Sequence, residues 1–305
     1  MNVLVLGELD PDRLADLAAL LNRCEVADGH PALAEPQRIA VARRDLGAEG
    51  TRVVLAYADD GHADLVGCAV LSPAPDGSTT VHVAIDPAHR AGGEGTSIRG
   101  TLITRAETEA PGPIRLWKMR ATRADDDDVA PLGFHPERDV VQMRVALPLP
   151  AETVASARPV VTRAFVPGQD DEAWLSINNR AFSDHPEQGG WTFEQLGARL
   201  EADWFDPAGF LVADDPDGRG LIGSCWTKVH REGDVVLGEI YVISVDPDRA
   251  GEGWGRALAV AGLEWMAGQG VPMGMLYTDA SNTTAVALYH SLGFVVDHVD
   301  RAYLR

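Results

Sequence analysis

Two residues of this chain have a type and a setting that suit proton transfer. Glu239 stands at the head of a predicted strand between Leu237 and Ile240, and partial removal from water raises the pKa of a glutamate toward that of a useful base. Tyr289 follows Asn282 by seven residues, about two helical turns, so the two share one face of a predicted helix. A hydroxyl placed there could donate a proton to a leaving group. The alternatives are an edge-strand glutamate in solvent and a core tyrosine with a satisfied hydroxyl.

The segment 238–257 must position the first of these residues, and it predicts a strand, a tight turn and the start of a helix. Asp246-Pro247 ends the strand, and Gly251, Gly253 and Gly255 alternate along the turn. Glycines let the backbone approach a ligand, and the first N–H groups of a helix point toward it. This geometry suits an anion, most often a phosphate. The alternative is an ordinary glycine-rich connection.

Three signatures of the chain recur at a separation of 160 residues. They are Asp86-Pro87 with Asp246-Pro247, Gly93 and Gly95 with Gly253 and Gly255, and Leu132-Gly133-Phe134 with Leu292-Gly293-Phe294. One offset shared by three separate signatures predicts two copies of one domain. Alternating strand and helix patterns predict the α/β (α+β) class, with a mixed central sheet flanked by helices in each copy. Residues 140–147 are the expected last strand of the first copy.

The length of 305 residues corresponds to about two domains of ordinary size. We expect them to span residues 1–148 and 158–305, because the stretch 148–159 contains proline and alanine and lacks periodicity. The net charge of −20 argues against binding to nucleic acid or to an anionic membrane surface. We also expect a small-molecule substrate and a monomeric chain.

Other sequence features indicate a cytoplasmic protein without a metal. No stretch approaches the ~18 apolar residues that span a bilayer, and the N-terminal residues do not read as a signal peptide. Cys24, Cys68 and Cys225 are widely spaced and form neither a disulfide framework nor a metal-binding pair. The acidic run 125–128 is predicted to be a solvated loop rather than a metal site.

The motifs of both halves resemble a known superfamily. A strand ending in V-D-P, a turn of the R/Q-x-x-G-x-G type and the late segment N-T-T-A-V-A-L-Y-H-S-L-G-F at 282–294 resemble the GCN5-related N-acetyltransferases. The resemblance implies two tandem domains of that fold. In the second half, four strings are similar to the mycothiol synthase family: N-N-R-A-F-S-D-H-P-E-Q-G-G-W-T at 178–192, W-F-D-P at 204–207, W-T-K-V-H at 226–230 and G-E-I-Y-V at 238–242.

The resemblance to that family implies a reaction. Its members acetylate the cysteinyl amine of cysteinyl-glucosaminyl-inositol with acetyl-CoA, by direct transfer of the acetyl group. Glu239 would then be the general base and Tyr289 the general acid. The thioester carbonyl would be polarised by the backbone N–H of Val242 or Ile243.

The resemblance also implies binding residues for acetyl-CoA, as co-substrate, and for the acceptor, and no metal. In the second copy acetyl-CoA would contact Ile243, Ser244, Val245, Ala250, Gly251, Glu252, Gly253, Trp254, Gly255, Arg256 and Asn282. In the first copy it would contact Val83, Ile85, Arg90, Gly93 and Gly95. The acceptor would contact Glu35, Glu187, Lys228, Glu239 and Tyr277, with Trp191 and Trp226 either flanking the sugar or packed in the core.

Three positions of the second copy depart from the family pattern. Ala250 stands where a basic residue is expected before the glycines, with Arg249 shifted by one. Glu252 adds a negative charge inside a loop meant for pyrophosphate, which is unfavourable unless its side chain turns outward. Cys225 stands where the family typically has histidine.

The two copies are chemically unequal. Subtracting 160 from Glu239, Asn282 and Tyr289 leads to Thr79, Thr122 and Val129, none of which can replace the acid and the base. The first copy keeps the pattern Arg90-x-x-Gly93-x-Gly95, so it is expected to bind coenzyme without catalysing the reaction, or else to be an empty structural copy.

Two other functions stay open at this point. One is acetylation of a different small amine, such as an aminoglycoside or a polyamine. The other is a non-catalytic acetyl-CoA sensor, which would have no need of Glu239 or Tyr289.

Overall fold

The structure is a computed structural model that describes residues 2–43, 50–58, 64–74, 76–183, 188–218, 220–232 and 235–305. These residues divide into two compact units, each described here by itself. Unit 1 comprises Met1–Asp139 and Val299–Arg305, and unit 2 comprises Val140–His298. Of the helices in the described ranges, none combines the length and the apolar character needed to cross a membrane.

Unit 1 is built from an alternating series of strands and helices. In chain order they are β1 Asn2–Leu6, α1 Pro11–Asp28, α2 Glu35–Arg43, β2 Arg52–Tyr57, β3 Leu65–Pro73, β4 Thr79–Ile85, α3 Gly92–Glu109, β5 Ile114–Lys118, α4 Arg123–Val129 and the start of β6 His135–Ala146. Helix α1 begins where the Asp10 side chain accepts a hydrogen bond from the Arg13 N–H, and it ends at Gly29 in the left-handed region.

The sheet of unit 1 has the strand order β1-β2-β3-β4-β5, and residues Arg301–Leu304, near the end of the chain, pair with the free side of β5. All these pairs are antiparallel except β4 with β5. One face of the sheet packs against α3 through Ile98 and Leu102, and the other packs against α1 through Leu17 and Leu20. This is the expected layered sheet with helices on both sides.

Unit 2 repeats this order of elements. After β6 come α5 Ala151–Ala155, β7 Arg163–Ala164, α6 Asp171–Ala181, α7 Phe193–Leu200, β8 Phe210–Asp214, β9 Leu221–Glu232, β10 Val235–Val245, α8 Trp254–Gly268, β11 Met273–Asp279, α9 Thr283–Ser291 and β12 Val295–Leu304. The strand order is β6-β11-β10-β9-β8-β7, and only β10 with β11 is parallel. Its aromatic core is built around Trp174, Phe210 and Trp226.

The division into units differs from the expected ranges 1–148 and 158–305 in the use of two strands. Residues 140–146 were expected to close the first copy, but they pair with β11 of unit 2. The strand beside β5 of unit 1 is instead Arg301–Leu304, from the end of the chain. The proposed linker 148–159 also contains the short helix α5.

The acidic run at 125–128 is not a loop, which corrects the sequence expectation. It lies in α4, where Asp125 and Thr122 form a capping box, because acidic side chains near a helix N-terminus complement its dipole. Asp126 accepts hydrogen bonds from Arg301 and the Tyr303 hydroxyl. Within the described ranges, no group of three or more metal-ligating side chains comes together.

Candidate active site

The central strand of the site is β10 of unit 2, which carries Glu239. Glu239 lies directly opposite Lys228 of β9, and its Oε2 is 2.7 Å from Nε2 of His230, two residues further along β9. The Glu239 side chain is 13% exposed and that of His230 is 23% exposed. The carboxylate is therefore neither an edge residue in open solvent nor buried without a partner.

A β-bulge follows Glu239 at once. Ile240 pairs with Thr227 and Val242 pairs with Trp226, so Tyr241 is an extra residue in β10. Pairing between β10 and β11 also ends at Ile240, although β10 continues to Val245 and β11 to Asp279. The two parallel strands thus part beside Glu239, and the backbone of β10 beyond that point has no strand partner on the β11 side.

Lys228 is held in an aromatic setting next to this opening. The side chain is buried, and its Nζ lies 4.3 Å from the ring centre of Trp204 and 5.4 Å from that of Tyr241. Such contacts stabilise a cation by the negative face of each ring. The Tyr241 hydroxyl accepts a hydrogen bond from Nε of Arg199 in α7, which fixes this corner of the site.

Tyr289 is a buried residue of α9 whose hydroxyl hydrogen-bonds to none of the described residues. Burial raises its pKa above the ordinary value, and the neighbouring Cys225 adds to the shift, so the proton stays on the oxygen. Asn282 caps the same helix, since its Oδ1 accepts a hydrogen bond from the Ala285 N–H. Asn282 precedes the helix as its N-cap and is exposed, whereas Tyr289 is buried, so the Asn282 side chain has a structural role there.

The glycine-rich turn forms the start of α8. Gly253 is the N-cap, with a φ of 84° in the left-handed region that favours glycine. Five successive or nearly successive backbone N–H groups make no hydrogen bond with the described residues: those of Gly251, Gly253, Trp254, Gly255 and Arg256. Free amides at the positive end of a 15-residue helix can hold an anion such as a pyrophosphate.

The unfavourable Glu252 is compensated by residues that the motif does not contain. Its Oε2 accepts a hydrogen bond from Nε1 of Trp254 at 3.0 Å and lies 3.5 Å from Nε of Arg249. Arg158 donates to the Glu252 carbonyl oxygen at 2.7 Å and stacks over Trp254, with its Cζ 3.5 Å from the ring centre. The shifted Arg249 is thus engaged with Glu252, and Ala250 contributes no side-chain charge.

The remaining coenzyme candidates of unit 2 offer backbone rather than side chains. The Ser244 hydroxyl is buried and 3.1 Å from that of Ser224, which also accepts from Trp174 Nε1. Arg256 is bonded to the hydroxyls of Ser156 and Ser291. Ile243 and Val245 lie where β10 pairs with β9 but, among the described strands, no longer with β11, so a ligand would meet the backbone there from the β11 side.

Cys225 is packed against α8 rather than exposed to a ligand. A Cβ built on Gly262 would come within 2.4 Å of its Sγ, so the thiol fills the space that glycine leaves. Burial raises the pKa of this thiol to about 12, which keeps it protonated. The departure from histidine at this position is a packing change.

The acceptor candidates are distributed over several elements. The Tyr277 side chain, 40% exposed on β11, accepts a hydrogen bond from Nε2 of Gln142 at 2.6 Å. Glu187 lies outside the described residues, as does the H-P-E part of its string. Glu35 is the first residue of α2, in unit 1.

Trp191 and Trp226 are core residues, which decides between the two readings of the sequence. Trp226 is fully buried and stacks on Phe210 with ring centres 4.2 Å apart. Trp191 is also buried and lies below Arg199, whose Cζ is 4.0 Å from the ring centre. Neither indole face is open for a sugar.

The bulge in β10 changes which residue of unit 1 corresponds to Glu239. Pairing of β4 with β5 joins Thr80 to Arg115, and pairing of β10 with β11 joins Glu239 to Met275, 160 residues after Arg115. The structural counterpart is therefore Thr80 and not Thr79, because β4 lacks the extra residue. The chemical conclusion is unchanged, since threonine is no base at neutral pH.

The glycine turn of unit 1 differs from its counterpart in the use of its arginine. Arg90 donates to both carboxylate oxygens of Asp28 and to the Ile85 carbonyl, so its guanidinium is already engaged. A Cβ on Gly95 would lie 2.1 Å from the Arg90 carbonyl oxygen, whereas one on Gly93 would meet nothing within 4 Å. Val83 shares the β4 segment that continues beyond the last residue paired with β5.

The structure thus brings Glu239, Lys228 and His230 together beside the parting of two strands, with the free amides of the turn in the same unit. His230 and Arg158 were missed as site residues by sequence reasoning. His230 had a usable signal, since it ends the W-T-K-V-H string and lies two residues after Lys228 on a strand. Arg158 had none, because it lies in the stretch interpreted as a linker.

Known proteins are similar to this chain in sequence. Residues 172–294 match the model of the acetyltransferase (GNAT) family. The mycothiol acetyltransferase of Arthrobacter sp. (strain FB24) is 39% identical and that of Acidimicrobium ferrooxidans 42% identical, with 99% and 94% of this chain and 95% and 92% of those proteins covered.

Solved structures share the fold. A GCN5-related N-acetyltransferase from Sphaerobacter thermophilus has a TM-score of 0.67 at 24% identity, covering 99% of this chain and 95% of that one. A tandem GNAT protein from the clavulanic acid biosynthesis pathway has a TM-score of 0.66 at 16% identity, covering 99% and 97%. The tandem fold predicted from the 160-residue repeat is confirmed, and the chain belongs to the mycothiol acetyltransferase family of the GCN5-related N-acetyltransferases.

Proposed function

We propose that this protein transfers the acetyl group of acetyl-CoA to the cysteinyl amine of cysteinyl-glucosaminyl-inositol, giving mycothiol. The observation that carries the proposal is the parting of β10 from β11 directly beside a partnered, largely buried Glu239, in the unit that also holds the unbonded amides of the glycine turn. That arrangement suits an extended thioester whose phosphates sit at the helix start. The family relationship supports a role in making mycothiol, and the acceptor is the one that the sequence resemblance implies.

The residues divide the chemistry between them. Glu239 removes a proton from the acceptor ammonium, and the resulting amine nitrogen forms a bond to the thioester carbonyl carbon. A backbone N–H of β10 beyond Ile240, at Val242 or Ile243, stabilises the negative charge that develops on the carbonyl oxygen. The carbon–sulfur bond then breaks and Tyr289 supplies a proton to the departing sulfur. The nitrogen loses its second proton as it becomes an amide, and this proton returns to the tyrosine oxygen through solvent.

The acceptor is held by carboxylates, a lysine and a tyrosine in this proposal. Lys228 is buried beside Glu239 and Tyr277 presents a partly exposed ring, which suits contacts with hydroxyl groups of the acceptor. Glu35 and Glu187 complete the predicted set. Coenzyme binds unit 2 through the peptide groups at 243–245 and 250–256 together with Asn282.

Unit 1 is proposed to be the non-catalytic copy. Thr80, Thr122 and Val129 occupy the positions of Glu239, Asn282 and Tyr289, and none can exchange a proton with the substrate at neutral pH. Whether its turn at Arg90, Gly93 and Gly95 binds acetyl-CoA stays a prediction. A cytoplasmic, monomeric enzyme is also proposed, supported by three free, buried cysteines.

The test measures thiol release from acetyl-CoA with cysteinyl-glucosaminyl-inositol against a panel of other amines, including aminoglycosides and polyamines. Glu239→Gln and Tyr289→Phe should each lower kcat at least about tenfold, with acetyl-CoA binding little changed, because acid or base catalysis contributes about 10²–10⁴ in rate. Glu264→Gln, at an exposed position of α8, is the matched control and should behave like wild type.

Three results would contradict the proposal. Preference for another amine would replace the acceptor. Acetyl-CoA binding without turnover on any amine would favour the sensor. Wild-type turnover in either variant would remove that residue from the mechanism.

A further inference from the structure

His230 has a place in the site that the acid and base roles leave unexplained. Its Nε2 is 2.7 Å from Glu239 Oε2, although the strand neighbour directly opposite His230 is Leu237. Lys228 and His230 lie two residues apart on β9 and therefore on the same face as Glu239. The imidazole thus reaches diagonally across the strand pair to the carboxylate.

The exposed fractions of the side chains around Glu239 indicate which way a proton can leave it. Glu239 is 13% exposed and His230 is 23% exposed, and β9 ends two residues after His230, at Glu232. Lys228, on the other side, is buried and lies against the rings of Trp204 and Tyr241. Of these two neighbours of Glu239, His230 is the more exposed, so it is the better route for a proton from Glu239 to solvent.

Turnover requires such an exit. The acceptor arrives as an ammonium ion, and each catalytic cycle places one proton on the Glu239 carboxylate. A carboxyl group that keeps this proton cannot serve the next substrate. Imidazole has one nitrogen that accepts while the other donates, so it can pass a proton without a net change of charge at the end of the cycle.

We propose that His230 is the positioning and proton-relay residue of this site, taking the amine proton from Glu239 and releasing it to solvent. This rests on the proposed role of Glu239 as base. The carboxyl O–H gives its proton to Nε2, which restores the carboxylate and forms an imidazolium. The ring accepts in the tautomer that carries its hydrogen on Nδ1. The imidazolium then releases its Nδ1 proton to water, and exchange with solvent moves the remaining hydrogen from Nε2 back to Nδ1, which restores the starting tautomer. One proton enters and one leaves, and no electrons are transferred.

The experiment separates a relay from a simple hydrogen bond. His230→Gln keeps a hydrogen-bonding side chain beside Glu239 but cannot pass a proton, and His230→Ala removes the ring and leaves space for free imidazole. Both should lower kcat at least about tenfold with the KM for acetyl-CoA unchanged. Added imidazole should restore His230→Ala in a saturable way and should not restore His230→Gln or Glu239→Gln. His135→Gln, an exposed histidine of unit 1, is the control.

Circular dichroism and acetyl-CoA binding establish that each variant is folded. Activity of His230→Gln within about twofold of wild type overturns the relay, because the hydrogen bond alone then suffices. A folded His230→Ala variant that imidazole does not restore also overturns it. Full activity of Glu239→Gln would instead refute the proposed base, whereas an inactive Glu239→Gln beside a fully active His230→Gln refutes the relay alone.

Discussion

Arg158 offers a strong test of how this chain tolerates an acidic residue in its coenzyme loop. The side chain is 39% exposed, stacks on Trp254 and donates to the Glu252 carbonyl, and its Nη1 is 4.0 Å from the Glu252 carboxylate. Arg158→Gln removes the charge and retains a similar length. We expect weaker binding of acetyl-CoA, because the loop loses a brace and Glu252 loses a neutralising partner.

The contacts set the size of the effect. A cation over an aromatic ring contributes about 0.5–1 kcal/mol at a partly exposed site, and a hydrogen bond from a charged group about 1.5 kcal/mol. The ion pair with Glu252 adds little, since both side chains are well exposed to solvent. A total of about 2–2.5 kcal/mol corresponds to an increase of about 30- to 70-fold in the KM for acetyl-CoA.

Steady-state kinetics and equilibrium binding of acetyl-CoA measure this increase, and kcat should change less than about twofold. A double-mutant cycle with Glu252→Gln tests the cause, because the ring contact and the hydrogen bond to the backbone carbonyl remain in that variant and Arg158→Gln should cost nearly as much there. Arg105→Gln, at a similarly exposed arginine of unit 1, is the control. An unchanged KM for Arg158→Gln, or a fall in kcat alone, would refute the reasoning.

Three further predictions use other features of the structure. Gly253→Val should abolish turnover, because a side chain is strained at a φ of 84°. Gly93 has no positive φ, so Gly93→Val should keep much of the turnover. Steady-state kinetics and acetyl-CoA binding of both folded variants test this pair of expectations. The alkaline side of the kcat profile should show no loss up to about pH 10, the ordinary tyrosine pKa, because burial raises the pKa of Tyr289; a loss near pH 9 would contradict this. The hydrogen bonds from Arg163 lower the pKa of Asp170, so Asp170→Asn should cost about 1–2 kcal/mol of stability at neutral pH. This difference should shrink below about pH 4, because the wild-type carboxylate is then protonated. Denaturant unfolding of both proteins as a function of pH measures it.

The repeat made the tandem fold predictable, and for the same reason it concealed the path of the strands. β6 begins at His135 and β12 at Val295, which are 160 residues apart and carry equivalent patterns. Either strand suits the place beside β5 or β11, so periodicity cannot decide which sheet each one joins. The choice of sheet is made by pairing between distant strands, and such pairing leaves no pattern in the local sequence.

Site residues that belong to a local motif could be predicted from the sequence. Those that depend on strand register or on contacts between distant residues could not. Glu239 and the glycines follow from local pattern, but the bulge at Tyr241 shifted the counterpart by one residue to Thr80. A bulge adds a residue without a composition signal. The engagement of Arg90 by Asp28 spans 62 residues and is equally invisible along the chain.

The return of Val299–Arg305 to unit 1 sets an order for synthesis. Residue 139 leaves the ribosome long before residue 299, and at about 5–20 residues per second the nascent unit 1 waits roughly 10–30 s for its last strand. Unit 2, by contrast, is one continuous stretch of chain, so all of it has been synthesised before residue 299 is added. The half of the protein that is made first is therefore the half that is finished last, and a chain stopped short of residue 299 leaves β5 as an open sheet edge, a template for aggregation.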